Sequence, residues 1–242
     1  ENQRKASELE EARDLQISML PKIEMDHAKL DIAFRTVPAT EVGGDYFDLK
    51  ETDGETCSIA VGDATGHGLR AGIVVTATKS LFQVLATQSS HQEMFTMISK
   101  TLREMKMRRV NMALSLATIS DLKLTISSAG MPPAFLFRPS TQKVEEILIE
   151  GLPLGISERA QYRTEQRQLQ SGDTLLLMSD GLPERSNEDG DLFDYERLQK
   201  HFEFTVDKSP EEICSYLWNK GEEWAGGSPQ DDDITLIVVR VK

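Results

Sequence analysis

Apolar residues recur with two different periods along the chain, and these periods indicate where strands and helices form. Short apolar or alternating runs, typical of β-strands, are LDIAFR (30–35), SIAVGD (58–63), NMALSLATI (111–119), KLTISSAG (123–130), PAFLFR (133–138), VEEILI (144–149), GDTLLLMSD (172–180) and ITLIVVRV (234–241). Apolar residues spaced three and four apart predict amphipathic helices over 71–85 and 95–105, and two more helices are expected around 195–202 and 210–224. The run 172–180 is apolar almost throughout, so we expect a central strand there.

The order of these elements favours an α+β fold. Strands come in consecutive runs with pairs of helices between them, which is typical of antiparallel sheets covered by helices. The chain has 242 residues, which is enough for one large domain or two small ones, and 39% of them are hydrophobic, so a core can form. We therefore expect a single α+β domain over residues 21–242, preceded by a helix.

Residues 1–20 contain neither glycine nor proline and predict a helix that ends before Pro21. Leu9, Ala12 and Met19 fit a heptad seam, but Gln16 interrupts it. Two interpretations stay open: a solvated helix that packs one thin stripe on the domain, or a signalling linker that pairs with a second copy. Because the chain begins inside this charged helical pattern, we expect it to be a piece of a longer protein.

Composition excludes several classes of function. The formal net charge is −13 with no stripe rich in Lys and Arg, so nucleic-acid binding is not expected. A substrate carrying phosphate would need a local positive centre, which bound metal ions would supply. Cys57 and Cys214 match no zinc spacing and are expected to be free thiols in a reducing compartment. No apolar run approaches the ~20 residues of a membrane span and no signal peptide is visible, so we expect a cytoplasmic chain, although the full-length protein could be tethered to a membrane.

Four short motifs place aspartates at the boundaries of apolar strands: GGDYFD (43–48), GDATGHG (62–68), SDG (179–181) and DDDIT (231–235). A single aspartate in such a place is more often part of an Asx-turn or a helix cap. Four of them call for a common explanation, because a buried strand end is unfavourable for a lone carboxylate. Converging aspartates provide the oxygen ligands that Mg²⁺ and Mn²⁺ prefer. The glycines of these motifs allow close backbone approach, so a carbonyl oxygen could join the ligands.

The sequence lacks the motifs of three other kinds of catalytic or phosphate-binding site. There is no Gly-x-Ser-x-Gly motif, no cysteine in a loop typical of a thiol nucleophile, and no Walker-type phosphate loop. The expected reaction therefore uses a metal-activated water, because two bridged metals can lower the pKa of a shared water and position a phosphoryl group.

The motifs EVGGDYFD, VGDATGHG, SSAGMPPAF, GLPLGI, MSDGLPE and DDDITLIVVR, in this order, resemble the bacterial SpoIIE/RsbU branch of the PPM/PP2C metal-dependent serine/threonine phosphatases. The resemblance runs from about Leu15 to the C-terminus. It implies a sandwich of two packed antiparallel β-sheets flanked by helices, with two divalent cations, Mn²⁺ or Mg²⁺, at one edge. Carried over by motif, the metal ligands would be the carboxylates of Asp45, Asp63, Asp180 and Asp232 and the backbone carbonyl of Ala64.

Within DDDIT the family ligand is the aspartate two before Ile234, so the resemblance favours Asp232. Asp231 and Asp233 would then be solvated neighbours or groups that support the ligand.

Phosphate recognition and the role of His67 each have more than one interpretation. Animal members of the superfamily place a phosphate-binding arginine shortly before the first aspartate motif, whereas Thr40 and Glu41 stand there in this chain and Arg35 lies further back. His67 is either a general acid or a histidine that orders its loop by hydrogen bonding.

The resemblance implies hydrolysis of phosphoserine or phosphothreonine on a partner protein, by water activated at the metals. Substrates in the family are often small anti-sigma factor antagonist proteins in the partner-switching control of sigma factors, and upstream sensor domains control activity. The helix over 1–20 would then be the end of a connector, and we expect regulation by a homodimer formed through it. The alternatives are a catalytically inactive PP2C-like binding module and an aspartate-based metal hydrolase with another substrate, such as a phosphodiester.

Overall fold

The computed structural model describes Leu15, Ser18, Pro21 and residues 27–40, 42–107, 110–205 and 207–242. Along these residues the elements are β1 (Leu30–Val37), β2 (Asp45–Thr52), β3 (Thr56–Ala64), α1 (Leu69–Leu85), α2 (His91–Glu104), β4 (Met112–Ser120), β5 (Lys123–Ala129), β6 (Ala134–Arg138), β7 (Lys143–Ile147), β8 (Thr164–Gln168), β9 (Thr174–Met178), α3 (Tyr195–Glu203), α4 (Pro210–Ala225) and β10 (Ile234–Val241). The helix expected over 1–20 lies outside the described residues, except for Leu15 and Ser18, which are helical. Its role as a linker therefore stays a prediction.

The chain divides into two compact units, each built on one five-stranded sheet. Unit 1 consists mainly of Thr40–Met131 and Ile149–Arg167, and its strand order is β2-β3-β4-β5-β8. Unit 2 consists of Ile23–Ala39, Pro132–Leu148 and Gln168–Lys242, and its strand order is β1-β10-β9-β6-β7. The strands pair antiparallel in both sheets. The predicted α+β class, with two antiparallel sheets flanked by helices, is confirmed.

In unit 1, helices α1 and α2 bury their apolar stripes against the sheet. The stripes and the sheet form one buried cluster, which includes Tyr46, Ala60, Val74, Phe82, Phe95, Ile98, Leu114 and Leu154. Helix α2 begins with a capping box, in which the Ser90 hydroxyl accepts from the backbone N–H of Glu93 and the Glu93 carboxylate accepts from that of Ser90. Both helices agree with the predictions from the spacing of three and four.

In unit 2, strands β6, β9 and β10 are buried along most of their length. All five residues of β9 are buried, as the continuous apolar run predicted. Helices α3 and α4 pack with these strands in a second cluster, which includes Phe135, Leu176, Met178, Phe193, Leu198, Phe202, Leu217 and Leu236. Helix α4 has a capping box at Ser209 and Glu212, and it ends at Gly226 in the left-handed conformation, with φ 60°.

Strand β8 was not predicted from the sequence, and β2 was indicated only by the placement of the GGDYFD motif at a strand boundary. Strand β8 has the sequence TEQRQ and an alternately exposed surface, so it has no apolar run that would predict it. The cysteines agree with the sequence analysis: Cys57 and Cys214 are buried free thiols, and burial raises the pKa of each to about 12. Within the described part of the chain, no helix is both long enough and apolar enough to cross a membrane.

Candidate active site

The first two predicted ligands, Asp45 and Asp63, lie directly opposite each other in unit 1. Asp45 is the first residue of β2, Asp63 is the penultimate residue of β3, and the antiparallel register pairs them. Opposed residues of an antiparallel pair have Cβ atoms about 4.5–5.5 Å apart on the same face of the sheet. Because side chains alternate along a strand, this is the face opposite to the one on which Tyr46 and Ala60 join the core with α1 and α2.

The loop after Asp63 lies against the glycines of the first motif. The backbone N–H of Ala64 donates to the Gly44 carbonyl at 2.9 Å. A Cβ atom at Gly44 would lie 2.6 Å from the Ala64 carbonyl oxygen and 2.9 Å from that of Gly66, so position 44 has no room for a side chain. The Asp63 Oδ1 atom is 3.0 Å from the same point. The close approach expected from these glycines therefore places the Ala64 carbonyl oxygen next to the Asp63 carboxylate.

In unit 2, the SDG turn and the DDDIT segment run side by side. The Ser179 backbone N–H donates to the Thr235 carbonyl at 3.0 Å, and the Thr235 N–H donates to the Ser179 hydroxyl at 2.9 Å. A Cβ atom at Gly181 would clash with the backbone carbonyl of Asp233. The two segments that contain Asp180 and Asp232 are thereby brought into contact.

The carboxylates of unit 2 interact through their charges. The pKa of Asp180 is raised to about 6, first by burial and then by the negative charges of Glu184 and Asp232. The pKa of Asp232 is also raised, first by partial desolvation of its carboxylate and then by the charges of Asp233 and Asp231. Crowded carboxylates of this kind are the donor set of a hard divalent cation, whose positive charge would offset their mutual repulsion. The residues present therefore fit such an ion.

The three consecutive aspartates differ in their surroundings. Asp233 is 5% exposed, and its Oδ1 atom accepts a hydrogen bond of 2.6 Å from the backbone N–H of Ala39. Asp231 and Asp232 are both exposed, and of these two it is Asp232 whose charge raises the pKa of Asp180. These contacts agree with the choice of Asp232 from the motif, which stays a prediction.

We expect Asp233→Ala to lower the free energy of unfolding by about 1–3 kcal/mol, because the Ala39 N–H loses its acceptor. Asp231→Ala, at an exposed neighbouring position, is expected to change it by less than about 0.5 kcal/mol. Urea denaturation of both variants in the presence of EDTA would measure the difference. Equal stability of the two variants would contradict a structural role for Asp233.

A second aspartate of the first motif, Asp48, is buried on the helix side of the sheet. Its Oδ2 atom accepts from the Lys79 ammonium at 2.7 Å and from the Gln83 amide at 2.7 Å, and both donors belong to α1. The Tyr46 hydroxyl donates to the same oxygen at 3.2 Å. Asp48 therefore joins β2 to α1, and it lies on the face opposite to Asp45.

The two residues left open by the sequence lie in different surroundings. His67 is exposed in the loop between β3 and α1. The Arg35 guanidinium lies over the ring of Trp218, 4.9 Å from its centroid, a cation–π contact within unit 2.

Sequence reasoning missed three residues that lie around the aspartates of unit 2. The pKa of Tyr195 is raised to about 12 by burial and then by the charges of Asp180 and Glu184, so its hydroxyl is close to the SDG turn. Gln230 and Arg185 hydrogen-bond the segment that precedes Asp233. No sequence signal would have found these contacts, since a lone Tyr, Gln or Arg outside a motif resembles a surface residue.

The predicted ligands thus form two pairs, Asp45 with Asp63 in unit 1 and Asp180 with Asp232 in unit 2. Among the residues that the structure describes, no group of three or more His, Cys, Asp or Glu side chains is arranged to hold a metal ion. A centre that combines all four carboxylates is therefore a proposal.

Comparison with known proteins gives consistent matches. The family model "Stage II sporulation protein E (SpoIIE)" matches residues 53–242. The chain is 28% identical to phosphoserine phosphatase RsbU of Bacillus subtilis over 246 residues, covering 98% of this chain and 70% of that protein. It is 26% identical to stage II sporulation protein E of the same organism over 208 residues, covering 83% of this chain and only 24% of that protein.

Solved structures share the fold. The SiaA-PP2C domain of Pseudomonas aeruginosa has a TM-score of 0.86 at 20% identity, covering 100% of this chain and 98% of that domain. RsbX in complex with magnesium has a TM-score of 0.69 at 18% identity, covering 90% of this chain and 98% of that protein. At these identities the likeness shows the PP2C fold alone.

Proposed function

Because the chain belongs to the SpoIIE family of PP2C-type phosphatases, we propose that it hydrolyses phosphoserine or phosphothreonine on a partner protein. The resemblance that six motifs indicated is confirmed by the family match over residues 53–242. The expected phosphatase class agrees with the name of the RsbU relative, a phosphoserine phosphatase. The observation that carries the proposal is a pair of aspartates at strand boundaries in each unit. Asp45 and Asp63 lie opposite each other in the strand register, and the charge of Asp232 raises the pKa of Asp180.

We further propose that the site binds two divalent cations, Mn²⁺ or Mg²⁺. Their ligands would be the carboxylates of Asp45, Asp63, Asp180 and Asp232 and the backbone carbonyl of Ala64. The register of the first pair, the raised pKa of Asp180 and the magnesium bound by RsbX support this assignment. When bound, such cations activate water as a nucleophile and neutralise the oxygens of a phosphoryl group.

The role of the surrounding residues is to keep the ligands in place. Gly44 allows the Ala64 carbonyl to lie beside Asp63, and Gly181 allows the SDG turn to contact the backbone of Asp233. Such fixed donors need little rearrangement when a charged substrate binds, which is the usual source of electrostatic catalysis.

The partners are proposed from the relatives and from the N-terminal pattern. We propose that the substrate is a phosphorylated protein, such as an anti-sigma factor antagonist, in bacterial partner-switching signalling in the cytoplasm. An upstream sensor domain would regulate the activity through a homodimer formed by the helix over 1–20. Removal of residues 1–20 is expected to abolish dimerisation in light scattering, and an unchanged oligomeric state and activity would contradict this.

The activity itself is tested with p-nitrophenyl phosphate and a phosphoserine peptide. We expect turnover with Mn²⁺ or Mg²⁺ and none above background with excess EDTA, because the nucleophilic water needs the cations. A phosphodiester, bis-p-nitrophenyl phosphate, serves as the control substrate and should not be cleaved. Preference for the diester would indicate the other metal hydrolase, and no turnover with any metal or substrate would favour the inactive binding module.

A further inference from the structure

Arg185 is a buried arginine five residues after Asp180. Its side chain is 5% exposed, although arginine rarely lies inside a domain unless its charge is compensated. The family motif that carries Asp180 ends before it, so the motif itself assigns no role to this residue.

The guanidinium of Arg185 has three acceptors in unit 2. Its Nη2 atom donates to the Ser228 carbonyl at 2.8 Å and to the Glu222 carboxylate at 3.1 Å. Its Nη1 atom donates to the Pro229 carbonyl. Arg185 thus connects the end of α4 with the segment 226–233, which we call the DDD loop.

The backbone around Arg185 is fixed relative to Asp180. The N–H of Glu184 donates to the Asp180 carbonyl at 2.9 Å, which closes a turn. The N–H of Phe193 donates to the Arg185 carbonyl at 2.8 Å, and that of Asp194 donates to the Pro183 carbonyl at 2.8 Å. The guanidinium therefore extends from a backbone segment that has a defined position relative to the Asp180 backbone.

The DDD loop needs such support because of its own sequence. It begins with Gly226 and Gly227, which have positive φ values of 60° and 99°, and glycine is the most flexible residue in a chain. Gln230 fixes its last part, since its amide donates to the carbonyls of Asp232 and Val37 at 2.8 Å each. The carbonyls of Ser228 and Pro229 accept hydrogen bonds from Arg185. The loop is therefore fixed before Gln230 by Arg185 and after it by the Gln230 amide.

We propose that Arg185 is a positioning residue that sets the distance between Asp180 and Asp232 by fixing the DDD loop to the SDG turn. This inference rests on the proposed function, in which both carboxylates bind cations. Without the guanidinium, the loop would sample several positions, and cation binding would have to restrict them. The consequence is weaker cation binding, with catalysis restored when enough cation is present.

The test compares Arg185→Gln, Arg185→Lys and the control Arg138→Gln in the 242-residue chain. Arg138 is a less deeply buried arginine of unit 2, bonded to the carboxylates of Asp173 at 3.0 Å and Glu145 at 3.3 Å and to the Gln168 carbonyl at 3.2 Å. Arg138 contacts Asp173, which directly precedes the first residue of β9, whereas Asp180 follows the last residue of that strand. The control therefore removes the same charge, together with ion pairs to Asp173 and Glu145, away from the DDD loop.

Mn²⁺ binding is measured directly by the electron paramagnetic resonance signal of free Mn²⁺, with thermal melting in EDTA as the stability readout. We expect Arg185→Gln to raise the Kd for Mn²⁺ by about tenfold or more, as for other residues that orient metal ligands, and Arg185→Lys to raise it less. Arg138→Gln should lower the melting temperature and leave the Kd unchanged. At saturating Mn²⁺, the turnover of Arg185→Gln should return to within a few-fold of the unsubstituted chain.

An unchanged Kd in Arg185→Gln, or an equal rise in Arg138→Gln, would overturn the proposal. If Arg185→Gln does not fold, Arg185→Lys decides, because lysine keeps the charge but cannot reach three acceptors with the same geometry. If the unsubstituted chain binds Mn²⁺ but hydrolyses no phosphomonoester, the proposed function fails while the Kd comparison still tests Arg185. If the unsubstituted chain binds neither Mn²⁺ nor Mg²⁺, both proposals fail.

Discussion

Asp180→Asn is expected to lower Mn²⁺-dependent hydrolysis of p-nitrophenyl phosphate by more than about 100-fold. Loss of a residue that only orients a metal ligand costs about 10–100-fold, and loss of a charged ligand should cost more. Asparagine has the same shape as aspartate but supplies a neutral oxygen, so the site loses one negative charge. Asp232→Asn is expected to act in the same direction, because it removes a second proposed carboxylate ligand, whose charge is one of those that raise the pKa of Asp180.

The stability of Asp180→Asn should move in the opposite direction to its activity. The pKa of Asp180 is raised to about 6 in the folded chain from 3.8, so its ionised form is disfavoured by folding. This penalty is absent below pH 3.8 and grows to its full size as the pH rises above about 6. At pH 7 in EDTA, the asparagine variant should therefore melt at the same temperature as the unsubstituted chain or higher.

The matched control is Asp189→Asn, an exposed aspartate of unit 2, which should keep full activity and stability. Steady-state kinetics over a range of Mn²⁺ concentrations, together with thermal melting, measures all three variants. Activity of Asp180→Asn within a few-fold of the unsubstituted chain at any Mn²⁺ concentration would remove Asp180 from the proposed ligands.

Gly44→Ala is expected to have the second largest effect, a loss of Mn²⁺ affinity and of turnover of more than about tenfold. The new Cβ atom would overlap the carbonyl oxygens of Ala64 and Gly66, at 2.6 and 2.9 Å. Both obstacles are backbone atoms, so the loop after Asp63 must shift away from β2. The shift would move the proposed carbonyl ligand, and overpacking of this kind also lowers the free energy of unfolding by about 1–3 kcal/mol.

Gly72→Ala is the control for this substitution in the same unit. A Cβ atom there would meet only the end of the Val42 side chain, at 3.0 Å. Alanine is also more stable than glycine within a helix. We expect unchanged Mn²⁺ affinity and equal or higher stability for this variant. Isothermal titration with Mn²⁺ separates the two cases, and equal affinities would argue against a role for the Ala64 carbonyl.

Much of the secondary structure could be predicted because its signals are local. The spacing of Ala71, Val74, Phe82 and Leu85 is a property of consecutive residues, and it predicted α1 before any contact was known. The buried run of β9 was predicted in the same way, and so were the positions of aspartates at strand boundaries. Strand β8 had no such signal, since three of its five residues are exposed and none is apolar.

The family could also be predicted, because six short motifs occur in a defined order along the chain. Motif order points to Asp45, Asp63, Asp180 and Asp232 as ligands without any distance between them. Among the three adjacent aspartates it favoured Asp232, but it gave Asp231 and Asp233 one shared description, as solvated neighbours or groups that support the ligand.

The tertiary structure decided which residues face one another. It paired Asp45 with Asp63 in register, buried Asp48 on the opposite face, and used the Asp233 carboxylate for the Ala39 backbone. Each of these assignments depends on a partner distant in sequence, such as Ala39 and Asp233, 194 residues apart. Periodicity reports only how a segment exposes its own side chains, whereas strand register, close backbone approach and buried hydrogen bonds arise when separate segments fold together.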